Sequence, residues 1–215
     1  MNINEAIKRG KFILEKNLIK NSQLDSEILM SQVVNKDRKF VILNSKKELD
    51  EKKLNHFYNL IFERSKGKPI AYLTYKKNFW KYEFRVEKDI LIPRPDTEIL
   101  IDQVLKITEN RNNLKILDIG IGSGCILLSI LKEKKNFTGV GIDLTYKSLK
   151  ICRVNSQKLG VYNRLKLYKS NIDNFHLGKY DLIVSNPPYI KKNDLKCLEK
   201  DIKFEPIQAL DGGVD

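Results

Sequence analysis

The stretch Asn186-Pro187-Pro188-Tyr189 follows an apolar run, Leu182-Ile183-Val184, and its residue types suit the capture of one planar amino group. A residue before proline is driven out of the helical region and each proline fixes its own φ. The Asn186 side chain and the Asn186 and Pro187 carbonyls are therefore held in set directions, with no proline N–H competing for them. Three acceptors grouped at the carboxyl end of a parallel strand, where α/β sheets bind their ligands, would take hydrogen bonds from an NH2 group, and Tyr189 would stack on it. An isolated Asn-Pro-Pro more often does no more than end a strand. A second stretch changes that balance.

This is Asp118-Ile119-Gly120-Ile121-Gly122-Ser123-Gly124, which follows a buried-strand pattern and opens a helical one. Glycines at such a turn let the backbone come close to a ligand and present helix N-terminal N–H groups to its anionic end. A dinucleotide fingerprint needs G-x-G-x-x-G. Here the third glycine comes one place early and position 125 is cysteine, so a pyrophosphate is not the natural guest. Asp143, at the end of the next strand, is placed to accept from ribose hydroxyls, or else to cap the following helix. Loop and acid together describe a site for a ribose with an amino-acid tail, S-adenosylmethionine.

The elements that position these residues follow from periodicity. From Leu114 onward the pattern alternates: strand Leu114–Ile119, helix Ser123–Glu133, strand Phe137–Asp143, helix Ser148–Leu159, strand Leu165–Tyr168, a loop, then strand Asp181–Ser185. This predicts a doubly wound parallel sheet whose last strand is buried on both faces. Upstream, Tyr82, Phe84 and Val86 alternate with polar residues, and with Lys88-Asp89 as a turn and Ile90-Leu91-Ile92 returning they predict a hairpin. Pro93-Arg94-Pro95 stiffens its exit, and Asp96 or Thr97 is expected to cap a helix carrying Leu100, Ile101, Val104 and Leu105. Residues 1–75 read as a small all-α bundle. Its first helix ends near Asn17, a short one runs from Lys39 to Leu43, and capping boxes are expected at Ser22 with Asp25 and at Ser45 with Glu48. The domains expected are therefore 1–75 helical, 76–95 a hairpin linker and 96–215 an α/β unit.

Composition excludes more than it selects. With 41% hydrophobic and 31% charged residues the chain is of ordinary globular type, and no run reaches a membrane span or shows a secretory leader, so a cytoplasmic protein is expected. Cys125, Cys152 and Cys197 have neither paired spacing nor a histidine cluster, which predicts buried thiols, no disulfide framework and no metal site. The net charge of +13 suits acidic or nucleic-acid-associated surroundings and equally a solvated lysine-rich surface. His56 reads as a helix-surface residue.

Four segments in order, Pro93-Arg94-Pro95-Asp96-Thr97-Glu98, the glycine loop, Asn186-Pro187-Pro188-Tyr189-Ile190 and Glu205-Pro206-Ile207-Gln208-Ala209-Leu210-Asp211-Gly212-Gly213, resemble the peptide-chain-release-factor glutamine N5-methyltransferases, the HemK/PrmC family. The resemblance implies a Rossmann-like methyltransferase domain preceded by a helical domain that docks the release factor. It implies methylation of the side-chain amide of the glutamine in that factor's GGQ motif. Gly120, Ile121, Gly122, Ser123, Gly124, Asp143, Asn171, Ile172 and Asn186 would line the cofactor, Asn186 and Pro187 would be catalytic, and Pro188 and Tyr189 would complete the substrate site. Neither a membrane nor a direct nucleic-acid partner is expected, and the full-length form is expected to be a monomer.

Three departures stand against the pattern. Ile121 replaces a small residue, usually Thr. Asn171 replaces an Asp near the adenine, and can still accept through its carbonyl. The chain stops at Asp215, short of the strands that complete a seven-stranded sheet, which predicts a truncated domain with strand 181–185 bare at one edge and weak or absent activity. Two other readings share the motifs: an adenine-N6 methyltransferase of DNA or RNA, and a non-catalytic cofactor-binding remnant.

Overall fold

The structure, a computed structural model, describes residues 1–214; Asp215, the end of the expected third domain, lies outside the described residues. Two compact units are present: Met1–Thr74 with Glu199–Phe204, and Tyr75–Leu198 with Glu205–Asp215. They differ from the three expected domains because the hairpin is built into the second unit and a late segment belongs to the first.

In the helical unit, α1 (Ile3–Lys16) opens with a reciprocal cap, the Asn2 side chain accepting from the Glu5 N–H and the Glu5 carboxylate from the Asn2 N–H. It is followed by α2 (Ser22–Val34), α3 (Arg38–Leu43), α4 (Glu51–Ser65) and α5 (Ile70–Thr74). Ile3, Ile7, Leu14, Leu29, Met30, Phe57 and Ile61 form the core. Gly10 is required there: a Cβ would stand 2.9 Å from the Phe57 ring, so its absence lets α4 close on α1.

Neither expected capping box forms. Ser22 donates to the Ile19 carbonyl, and Asp25 is buried against Arg64 at 2.7 Å. The next long helix, α4, begins at Glu51, later than a cap at Ser45 would place it, and is capped by Asp50, which accepts from the Lys53 N–H at 2.8 Å. Ser45 is drawn instead to α1, its carbonyl accepting the Asn4 N–H at 2.9 Å. His56 is exposed on α4, as expected. The segment Glu199–Phe204 belongs to this unit through Lys20–Glu199 at 2.6 Å and Arg64–Asp201 at 2.9 Å.

The second unit opens with a hairpin of β1 (Lys76–Phe79) and β2 (Tyr82–Arg85). Among the described residues the expected return segment 90–92 forms no strand, and β2 pairs instead with β1 upstream of it. Trp80 takes a positive φ of 55° and turns the chain back between Phe79 and Tyr82. Glu133 then anchors the turn, accepting from Trp80 Nε1 at 3.0 Å and from the Tyr82 hydroxyl at 2.8 Å. Burial and the adjoining carboxylate push that phenol up to about 12. Next come α6 (Glu98–Ile107), β3 (Lys115–Ile119), α7 (Cys125–Glu133), β4 (Thr138–Asp143), α8 (Tyr146–Leu159), β5 (Leu165–Lys169) and β6 (Leu182–Ser185), with the short pair β7 (Ile190–Lys191) and β8 (Asp211–Gly213). A single 3-10 turn over Pro95–Thr97 precedes α6, and neither Asp96 nor Thr97 caps it through a side chain.

Strands β5-β4-β3-β6 form one parallel sheet in that order. Ile101 and Val104 of α6, Leu127, Leu128 and Leu131 of α7 and Leu149 and Cys152 of α8 share one core with Ile116 and Val184 of the sheet. On the other face Leu117, Val140 and Ile142 are covered by Phe175 and Tyr180 from the β5–β6 connection, which has no helix among the described residues. The two-sided helical cover expected of a doubly wound sheet is therefore not seen there. For the same reason β6 is not buried on both faces: it stands at the sheet edge and Ile183 is 57% exposed. Of the cysteines, Cys152 is buried and Cys125 partly so, but Cys197 is exposed, against expectation.

Candidate functional site

The carboxyl ends of β3, β4 and β6 open on one cavity of about 320 Å³. Its walls include Gly120 to Ser123 after β3, Asp143 at the end of β4, Asn171 and Ile172 after β5, and Asn186, Pro187 and Pro188 after β6. Leu91, Pro93, Arg94, Thr97, Pro206, Gln208 and Ala209 also line it.

The glycine loop is held by the strand beside it. The Gly120 and Ile121 amides donate to the Ile142 carbonyl at 3.0 and 2.9 Å, Gly124 donates to Ile121 at 2.8 Å, and Gly122 donates to Asp143 Oδ2 at 3.0 Å. These amides are committed within the protein, so the N–H groups left to a ligand are that of Ser123 and those opening α7. Gly120, at φ +75°, would point a Cβ into open space, so a side chain there would enter the cavity. Gly124 has the opposite reason to be glycine: a Cβ would stand 2.7 Å from Cys152 Sγ. Asp143 Oδ1 accepts from the Thr145 N–H at 2.9 Å, and it is Thr145 that caps α8, accepting from Ser148. The helix-cap alternative for Asp143 is thus taken by its neighbour.

Ile121 is 4% exposed, with its δ-methyl in the space a side chain at Gly141 would need, 2.1 Å from the Cβ position there. The departure from a small residue is absorbed by packing. Asn171 Oδ1 accepts the Asn174 N–H at 3.0 Å, so its carbonyl is already shared with the backbone and its amide N–H groups are the more available. Asn186 is half-buried, and no described residue hydrogen-bonds its side chain. The turn it opens is braced by β8, which comes so close that a Cβ on Gly212 would lie 3.0 Å from the Pro188 carbonyl oxygen. Tyr189 is 74% exposed and does not line the cavity.

Two residues that support the site from outside the cavity lining were not singled out from the sequence. Asn155, fully buried on α8, donates to the Ser123 carbonyl at 2.8 Å and exchanges hydrogen bonds with the Arg85 N–H and carbonyl, joining the hairpin to the glycine loop. Its signal was an amide on the helix face shared with Leu149, Cys152 and Leu159. Asp118 is 1% exposed, and neither carboxylate oxygen has a well-formed hydrogen bond. Burial pushes it up to about 7; the nearby Leu127 amide pulls the other way, and Asp143 adds to the rise. Burial likewise pushes the Cys125 thiol up to about 12.

A parallel sheet with a glycine loop on one strand and an Asn-Pro-Pro turn on its neighbour defines a Rossmann-like methyltransferase unit. Residues 95–203 match the family model described as Methyltransferase small domain, and residues 5–74 the PrmC N-terminal domain. The chain is 38% identical over 219 residues to "Release factor glutamine methyltransferase" of Clostridium acetobutylicum, covering 100% of this chain and 77% of that relative. It is 40% identical over 210 residues to the protein of the same name from Buchnera aphidicola subsp. Acyrthosiphon pisum, covering 98% and 74%. A "Bifunctional methyltransferase" of Rickettsia conorii is 35% identical over 218 residues, covering 89% of this chain and 42% of that relative. The chain belongs to the release factor glutamine methyltransferase family. No helix among the described residues is long and apolar enough to cross a membrane.

Proposed function

We propose that this chain methylates the side-chain amide nitrogen of the glutamine in the GGQ motif of peptide chain release factors, with S-adenosylmethionine as donor. The observation that carries the reading is that the glycine loop, Asp143 and the Asn186-Pro187-Pro188 turn, far apart in sequence, line one cavity. The residues fit the cofactor: open space over Gly120, a carboxylate for the ribose diol at Asp143, and Asn171 and Ile172 for the adenine. When bound, the cofactor supplies a methyl group on a sulfonium centre.

An amide nitrogen is a poor nucleophile because its lone pair is delocalised, so the protein's work is orientation and charge. Asn186 Oδ1 and the Pro187 carbonyl would accept the two amide protons and hold them more tightly as positive charge grows on nitrogen. Orientation of this kind supplies several of the roughly 7–11 kcal/mol that positioning can give. Prolines at 187 and 188 keep the acceptors fixed, and β8 braces them from behind. No general base is needed, because the cationic product amide loses its proton to water. The helical unit would dock the release factor, in the cytoplasm where translation ends. The test is to incubate the chain with labelled S-adenosylmethionine and, separately, release factor, DNA and RNA. Label on the release-factor glutamine is expected; label on adenine, or on nothing, would overturn the reading.

A further inference from the structure

We propose that Arg94 binds the carboxylate of the cofactor's amino-acid tail, and that Glu205 is the positioning residue that holds it in place; this rests on the S-adenosylmethionine reading. Charged residues lining the cavity are Asp89, Asp143 and Arg94, so a single cation faces it among the described residues. An amino-acid tail brings a carboxylate that needs donors. The amides of Gly120, Ile121, Gly122 and Gly124 donate within the protein, which leaves from the loop only the uncharged N–H groups of Ser123 and of the start of α7.

Arg94 offers charged donors. Its Nη2 is in a close ion pair with Glu205 Oε1, while no described residue accepts from its Nε or Nη1. A guanidinium carries five N–H donors in a planar fork, so one edge can be anchored while another receives a second carboxylate. The anchor is rigid. Glu205 is 5% exposed, its second oxygen accepts the Ile92 N–H at 2.9 Å, and Pro93 and Pro95 flank the arginine. Glu205 therefore fixes both the backbone before Arg94 and the guanidinium itself, and Pro206, next in the chain, lines the same cavity.

A purely structural tie would look the same in outline, and ligand choice separates the two. S-adenosylhomocysteine and 5′-methylthioadenosine share the adenosine and the thioether and differ in the amino-acid tail. Calorimetric titration of both into the chain, into Arg94→Ala, Arg94→Lys and Glu205→Gln, is the experiment, with thermal melts to check folding. S-adenosylhomocysteine is expected to weaken about tenfold or more in Arg94→Ala, less in Arg94→Lys, and in part in Glu205→Gln. 5′-Methylthioadenosine should change less than about twofold throughout. Equal weakening of both ligands, or no weakening of either, overturns the assignment of Arg94. Loss in Arg94→Ala with none in Glu205→Gln overturns the positioning role. Failure of the unmodified chain to bind either ligand removes the cofactor reading itself, and this inference with it.

Discussion

Asn186 is the residue on which the proposed chemistry turns: half-buried, without a partner among the described residues, and followed by two prolines that line the cavity with it. Asn186→Ala is expected to slow methyl transfer by on the order of 10²–10³ while leaving calorimetric cofactor affinity near normal, as for loss of one group that binds developing charge. Near-normal turnover would sink the mechanism. Asp143 has a double duty, since its second oxygen already holds Gly122. Asp143→Ala should weaken cofactor binding by about 1.5–3 kcal/mol, the worth of a charge-assisted hydrogen bond. Asp143→Asn, which keeps an acceptor for Gly122, should recover part of it. Equal affinity in both variants and the parent would confine Asp143 to bracing the loop.

At the scale of elements, β4 and the glycine loop are fitted to one another through a residue with no side chain. The Ile121 δ-methyl occupies the place of a Gly141 side chain, and moving it would drag the loop whose amides β4 also holds. Gly141→Ala is expected to cost about 1–3 kcal/mol, typical of overpacking, with weaker cofactor binding. Adding Ile121→Thr should restore binding, because the hydroxyl side chain is shorter than the one it replaces. An additive double variant in a thermodynamic cycle would show that the two positions are not coupled. Asn155 acts between elements too. Asn155→Ala would leave the Arg85 N–H and the Ser123 carbonyl without this partner and should destabilise by about 1–3 kcal/mol in denaturant titration.

For the whole molecule, two units with separate cores mean that unfolding need not be a single transition. Trp80 is the chain's one tryptophan and lies in the α/β unit, so its fluorescence reports that unit. Asp118 should make this transition pH-dependent. Its folded pKa, about 7, is above the ordinary 3.8, so between those values the native state keeps a proton that the unfolded chain has released. Stability therefore falls as pH rises through that window and levels off above about 7, by an amount on the order of 4 kcal/mol at most. Asp118→Asn should flatten the profile and gain most at about pH 8 relative to the parent. The same slope in both proteins would show that Asp118 is not the titrating group.

The local rules were legible without a structure. Proline and glycine geometry marked the Asn186 turn and the Gly120–Gly124 loop, and the alternation after Leu114 located every strand of the parallel sheet to within a residue or so. These are properties of a backbone and its nearest neighbours, which is why sequence carries them. What only the tertiary structure decided was pairing and exposure. β2 chose β1 over Ile90–Ile92 because Trp80 could turn and Glu133, far along the chain, could anchor it. Ser22 and Asp25 abandoned their local cap because Arg64 offered a buried ion pair, and Ile183 stayed open to solvent because no helix covers its face among the described residues. Arg94, Glu205, Asn155 and Gly141 gain their roles from partners distant in sequence, and a periodicity read along one segment holds no information about a partner in another.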